Sequence, residues 1–139
     1  MINETVVVFG ASGFLGSHVA DALTAAGYRV RLFDRSPSPY LQSNQEMIIG
    51  DIMNLDQAIE AAKGASIVYN FAAIADIDEA HNKPIPTATI NVLGNMHALE
   101  AARIAGARRF VFASSVYVYS ESGSFYRASK QAAERFTET

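Results

Sequence analysis

The 139 residues predict an α/β fold, a doubly wound parallel sheet of about five strands in the order 3-2-1-4-5 with helices on both faces. Three observations carry that expectation. Val6-Val7-Val8-Phe9 is β-branched and aromatic with no charge, the composition of a strand covered on both faces. Strand-like runs then alternate along the chain with segments of helical periodicity, which is the pattern of a parallel sheet. Gly10, Gly13 and Gly16 follow the first strand at regular spacing and open a helix.

That glycine turn organises the rest of the chain. With a pyrophosphate in place, Gly10 permits the tight turn, Gly13 lets the backbone approach phosphate, and Gly16 lets the helix pack close to the strand. The helix N-terminus adds unpaired N–H groups and the positive end of its dipole. The alternative is an ordinary strand-to-helix turn with no ligand. The context favours the first reading. An amphipathic stripe of Leu15, Val19, Ala22, Leu23 and Ala26 follows, Gly27 stops the helix, and a second strand, Tyr28 to Phe33, ends at Asp34. An acidic residue about 20 positions beyond the turn is where a ribose would be held.

Composition narrows the classes of function. Half the residues are hydrophobic, 18% are charged, and the formal net charge is −3 with no basic tract. A single domain over residues 1–139 with a substantial core is expected, and neither nucleic acid nor a membrane surface is an expected partner. There are no cysteines, so disulfides and thiolate catalysis are excluded and a cytoplasmic location is expected. The start, Met1-Ile2-Asn3-Glu4, lacks the basic and apolar regions of a signal peptide. No apolar run approaches the length of a membrane span.

The loop after Asp34 carries Arg35, Pro37 and Pro39, and its prolines exclude a helix interior or central strand. Asp34 can accept from both ribose hydroxyls and its charge repels a 2′-phosphate, so NAD is expected over NADP. Arg35 reads two ways, as a holder of a 2′-phosphate or as a solvated loop charge. Glu46 to Gly50 is the third strand. Asp51 and Ile52 lie just past it, where Asp51 either accepts from an adenine amino group or simply makes a turn, and Ile52 packs on the ring. Asn54 caps a helix over 55–63, with Gly64 beyond its end. Ser66 to Ala73 forms the fourth strand and its exit. Asp76, Asp78, Glu79 and His81 match no metal-ligand spacing and read as a solvated irregular segment, ended by Pro84 and Pro86. A long helix runs from Thr87 to Ala105. Asn91 within it reaches a cofactor edge, a backbone carbonyl or solvent, and His97 reads as a satisfied, partly buried histidine. Arg109 to Ala113 is the fifth strand, Ser120 to Phe125 a short loop, and Tyr126 onward a helix.

Tyr126 and Lys130 are four residues apart on that last helix and share a face. An ammonium near a phenol favours the phenolate, which makes Tyr126 a candidate proton shuttle for an alcohol hydroxyl. Ser115, leaving the neighbouring strand, can donate to the same oxygen. Lys130 can also hold a ribose.

Taken in order, Gly10-Ala11-Ser12-Gly13-Phe14-Leu15-Gly16, Gly50-Asp51-Ile52, Asn70-Phe71-Ala72-Ala73, Asn91-Val92-Leu93-Gly94, Phe112-Ala113-Ser114-Ser115 with Val118-Tyr119, and Tyr126 through Lys130 resemble the extended short-chain dehydrogenase/reductases. The specific likeness is to the N-terminal part of their nucleotide-sugar epimerase and dehydratase branch, and it covers essentially the whole chain. The resemblance implies a Rossmann-type NAD-binding domain, with Tyr126 as catalytic base, Lys130 as its partner and Ser115 as hydroxyl donor. It implies that Gly10, Gly13, Phe14, Leu15, Gly16, Asp34, Arg35, Asp51, Ile52, Phe71, Ala72, Ala73, Ile74, Asn91, Tyr126 and Lys130 line NAD, and that no metal is needed. The implied substrate is a nucleotide sugar.

Family members are usually much longer, with a C-terminal region that holds the sugar nucleotide, and that region is absent from this chain. Only ten residues separate Ser115 from Tyr126, fewer than is usual in the family. The alternative expectation is therefore a catalytically incomplete NAD-binding module. The fifth strand is expected at a sheet edge. The family's helix contact implies a homodimer through helices 87–105 and 126–137, with Ile90, Leu93, Ala101 and Phe136 on the shared face.

Overall fold

The computed structural model describes residues 2–139. Its centre is a five-stranded sheet in the order β3-β2-β1-β4-β5, formed by β1 (Thr5–Phe9), β2 (Arg29–Asp34), β3 (Glu46–Ile49), β4 (Ala65–Asn70) and β5 (Arg109–Phe112). Every pairing is parallel, with Val7 opposite Arg31 on one side and Val68 on the other. Val6, Val7, Val8 and Phe9 are all fully buried, because alternate residues feed two separate cores. Val7, Phe9 and Val68 pack with Ala58, Ala61 and Ala62 of α2 (Leu55–Ala62) and Ala98, Ala101 and Ala102 of α5 (Asn95–Ala105). Val8, Val30 and Leu32 pack with Ala20 of α1 (Phe14–Ala25). The expected fold class and strand order are both present.

Of the stripe expected on α1, Leu23 packs against the core and Val19 is half-buried, but the residues closest to the sheet are others. Gly16, Ser17 and Ala20 are the buried residues of this helix, while Leu15 is 58% exposed and Ala22 and Ala26 are exposed. Close approach explains this. A side chain on Gly16 would overlap the Gly10 carbonyl and lie 2.9 Å from Ala11 Cα, so the face nearest the sheet has to be small rather than large and apolar. The helix α2 forms as expected, with Asn54 Oδ1 accepting from the Gln57 N–H (3.1 Å).

Two further corrections fall between residues 76 and 105. The acidic segment is not irregular: it is a short helix, α3 (Ile77–Asn82), and Asp76 caps it by accepting from the Glu79 N–H at 2.8 Å. Asp78 and Glu79 occupy its first turn and His81 its last, the charge order a helix dipole favours. Pro84 and Pro86, expected to end that segment before a helix from Thr87, instead belong to a helix themselves. They sit in the first turn of α4 (Pro84–Ala88), where a missing N–H costs nothing. A π-helical stretch, Thr89–Gly94, then continues into α5.

Helix α6 (Ser124–Glu138) begins earlier than expected and packs on α3, α4, the π-helical stretch and α5. A 3-10 turn, Val116–Tyr119, connects β5 to it. Among the described residues no helix is long and apolar enough to cross a membrane.

Candidate cofactor groove and Tyr-Lys site

Beyond the C-terminal ends of β1 to β4 lies a groove of about 350 Å³, with Gly10 and Gly13 on one side, Asp34, Arg35 and Asp51 at one end, and Phe71 to Ala75 as a wall. Such a crevice is where ligands bind in open α/β sheets. The glycines differ in what makes them glycine. Gly10 has φ 74°, and a Cβ there would lie 2.5 Å from the Ala72 nitrogen. Gly16 is fixed by its contact with the Gly10 carbonyl, described above. Gly13 has φ −78° and ψ 177°, which any residue adopts, and a Cβ on it meets only the Gly10 oxygen, at 3.5 Å. Nothing in the protein requires glycine at position 13. A side chain there would fill the groove.

Helix α1 starts beside this groove, with its N-cap Gly13 on the lining and the expected cofactor residues Phe14, Leu15 and Gly16 off it. Its first backbone bond is Ser17 N–H to Gly13 O at 3.0 Å, so the N–H groups of Phe14, Leu15 and Gly16 have no acceptor within the helix. No acidic side chain occupies the first turn. Phe14 is 78% exposed beside it, with its ring against His18. These features suit a diphosphate.

Asp34 ends β2 with its carboxylate turned to the glycine turn. Oδ2 accepts from the Ser12 N–H at 3.0 Å and Oδ1 from the Ser36 N–H at 3.3 Å. Ser12 Oγ donates to the Ser36 carbonyl (2.6 Å), so the two loops are stitched together and the carboxylate is held at the end of the groove. Arg35 is exposed on the rim. Asp51 Oδ1 accepts from the Met53 N–H at 2.9 Å, which leaves its second oxygen for a ligand. Ile52 is buried and lines the groove. Its carbonyl accepts from His97 Nδ1 at 2.8 Å, so His97 is the satisfied histidine the sequence suggested.

Asn91 faces inward and is 2% exposed. Its Oδ1 accepts from the Ile74 N–H (2.7 Å) and its Nδ2 donates to the Ile74 carbonyl (3.0 Å) and to Ser129 Oγ (2.9 Å). Of the three readings open from the sequence, the backbone carbonyl is the one realised. Asn91 shapes the groove by holding Ile74 rather than by reaching across it.

The sequence reading missed several groove residues. Ser12, off the lining itself, carries the stitch to Asp34. Ala75, Glu79 and Ile90 line the groove, and Glu79 pairs with Lys83 at 3.1 Å. The N-cap pattern at Asp76 was the available signal for Glu79. Ile90, expected on an outer helix face, lines the groove instead, and Ala101, also expected there, is fully buried in the sheet core. Leu93 and Phe136 remain exposed. Among the described residues there is no cluster of three metal-ligating side chains.

Tyr126 and Lys130 share a face of α6. Lys130 is 5% exposed and its Nζ donates to the Ala113 carbonyl, 2.8 Å away, at the end of β5. The same nitrogen lies 4.9 Å from the Phe112 ring centre and 5.9 Å from that of Tyr126. Removal from water lowers its pKa from 10.5 to about 8, because burial disfavours the charged form. Ser115 caps the 3-10 turn, its Oγ accepting from the Tyr117 N–H (3.2 Å), and the Tyr117 ring stands edge-on to Tyr126. Two α6 side chains hold this turn: Arg127 Nη1 donates to Ser120 O (2.6 Å) and Gln131 Nε2 to Val118 O (2.9 Å). Tyr126 and Lys130 are thus brought together, and no hydrogen bond joins Ser115 to Tyr126 among the described residues.

Residues 6–139 match the model of the NAD dependent epimerase/dehydratase family. A UDP-glucose 4-epimerase of Rhizobium leguminosarum bv. trifolii is 34% identical over 124 residues, covering 86% of this chain and 38% of the relative. A ceramide reductase of Caulobacter vibrioides is 37% identical over 134 residues, covering 93% and 40%. Among solved structures, MoeE5 in complex with UDP-glucose and NAD superposes with a TM-score of 0.86 at 32% identity, covering 96% of this chain and 48% of that one. The chain spans less than half the length of these relatives. A match over nearly all of the sequence, together with the shared fold, places this chain in the NAD-dependent epimerase/dehydratase family.

Proposed function

We propose that this chain is the NAD-binding part of an enzyme that oxidises and re-reduces, or dehydrates, the sugar of a nucleotide sugar, with Ser115, Tyr126 and Lys130 as its chemical site. The observation that carries the reading is Gly13, a glycine the fold does not need and a bound pyrophosphate does. NAD supplies the acceptor and donor of hydride. The N–H groups of Phe14 to Gly16 take the diphosphate, Asp34 the ribose hydroxyls, and Asp51 with Ile52 the adenine. The wall from Phe71 to Ile74 flanks the remaining half. Tyr126 removes the proton of the substrate hydroxyl as its carbon gives up hydride, and returns it in the reverse step. The charge of Lys130 favours the phenolate form of Tyr126 that accepts this proton, and Ser115 donates to the substrate oxygen. A homodimer is part of the same proposal, with the exposed helix positions Leu93 and Phe136 as its contact.

A second reading rests on the share of each relative that is matched. This chain alone holds the cofactor and little of the sugar nucleotide, so it lacks the binding energy that orients the reacting carbon. Calorimetric titration at one salt concentration tests the cofactor assignment, with NAD binding more tightly than NADP. Equal or tighter binding of NADP overturns the role given to Asp34 and promotes Arg35. Assay of sugar nucleotides with added NAD is expected to show little turnover. Robust turnover that disappears in Tyr126→Phe would instead establish a self-sufficient enzyme.

A further inference from the structure

Two buried carboxamides, Asn70 and Asn95, and the half-buried hydroxyl of Thr137 form an unbroken line from α6 to the groove wall. Thr137 Oγ1 donates to the Ala133 carbonyl (2.8 Å). Asn95 Nδ2 donates to Thr137 Oγ1 (2.9 Å), Asn70 Nδ2 to Asn95 Oδ1 (2.9 Å), and the Ala72 N–H to Asn70 Oδ1 (3.0 Å). Asn95 is 1% exposed and Asn70 3%. A carboxamide has two ends of opposite character, and its orientation follows from its partners. Here the direction is set from one end. A hydroxyl has a single proton, and that of Thr137 is committed to a helix carbonyl. Thr137 can therefore only accept from Asn95, which must turn its Nδ2 that way and its Oδ1 towards Asn70. Asn70 must then offer its Nδ2 to Asn95, which leaves its Oδ1 for the Ala72 N–H.

Ala72 is the residue whose nitrogen abuts Gly10. Its position sets the separation between the glycine turn and the opposite wall. We infer that Asn95, which does not line the groove, is a positioning residue for the cofactor: it fixes the Asn70 carboxamide and through it the Ala72 wall. The inference rests on the NAD reading above for its functional consequence, and on geometry alone for its effect on Ala72. Asn91 acts similarly on Ile74 through Ser129, whose hydroxyl donates to the Tyr126 carbonyl (2.8 Å), so both segments of the wall are referred to α6.

The test uses the isotopically labelled chain, with amide hydrogen exchange of Ala72 read against Val8 in the free protein and NAD affinity read by calorimetry. Asn95→Leu removes the middle of the line at similar volume, and Thr137→Val removes only its fixed end. Ser66→Ala deletes a hydroxyl that donates to Glu4 (2.7 Å) at the opposite end of the sheet and serves as the stability control. Loss of one such bond predicts that Asn95→Leu speeds Ala72 exchange relative to Val8 and weakens NAD binding by about tenfold each. Thr137→Val, should Asn95→Leu not fold, moves both in the same direction, and Ser66→Ala moves neither. Unchanged Ala72 exchange in both variants overturns the inference. So does unchanged NAD affinity once Ala72 protection is lost, or an equal affinity loss in Ser66→Ala. A wild-type chain that takes up no NAD refutes the cofactor reading, and the Ala72 exchange then decides by itself whether Asn95 sets the wall.

Discussion

Gly13 and Gly16 stand three residues apart in one turn and are glycine for different reasons. Substitution at Gly16 meets the backbone of Gly10 and Ala11, so its cost falls on folding. Substitution at Gly13 meets groove space, so its cost falls on binding. The motif is legible in the sequence, but the division of labour within it is not, because it depends on how closely α1 approaches the sheet. Lys130 shows the same limit. Its spacing from Tyr126 is visible in the sequence, whereas its burial and its bond to the Ala113 carbonyl require the fold. That burial has a consequence in pH. The unfolded chain holds the lysine proton more tightly than the folded one, so between about pH 8 and 10.5 the unfolded state carries more protons. Stability then rises with pH through that window. Chemical denaturation of the wild type and Lys130→Met across pH 7 to 11 should show the wild type gaining relative to the variant above pH 8. A constant difference would mean that Lys130 is not desolvated in solution.

At the scale of elements, strands were the easiest to read. All five expected strands are present, and the central β1, buried along nearly its whole length, leaves the uninterrupted apolar signature of a parallel strand covered on both faces. Helices were read less well where local chemistry outweighs periodicity. The acidic segment at 76–82 reads as loop from its charge content, whereas the order of its charges along the chain is that of a capped helix. Asp76→Ala should therefore destabilise the protein by about 1 kcal/mol, the usual worth of an N-cap, measured by urea unfolding. No change would show that α3 is held by its packing on α6 and α4 rather than by its cap. The π-helical stretch at Thr89–Gly94 has no sequence signature in single residues. It becomes intelligible only with Asn91 and Asn95 in place, both buried and both bonded.

For the whole molecule, the expected dimer face has to be redrawn. Ile90 belongs to the groove and Ala101 to the core, so the proposed contact rests on Leu93 and Phe136, 47% and 48% exposed. Strand β5 remains an edge of the sheet, and its Phe110-Val111-Phe112 run offers a second route to pairing. Sedimentation over a range of concentrations is expected to show a dimer that Leu93→Glu dissociates. A monomer persisting at high micromolar concentration contradicts association. Dissociation only by Val111→Lys assigns the contact to the strand edge.

The central claim is that the groove between the glycine turn and the Ala72 wall holds NAD, and Gly13 separates that claim from the stability of the fold. The decisive measurement is calorimetric titration of NAD into the wild type and Gly13→Val, with the thermal midpoint of each recorded in the absence of ligand. The account predicts similar midpoints, binding by the wild type and none detectable by the variant. NAD affinity retained in Gly13→Val would place the cofactor elsewhere on the molecule and contradict the account.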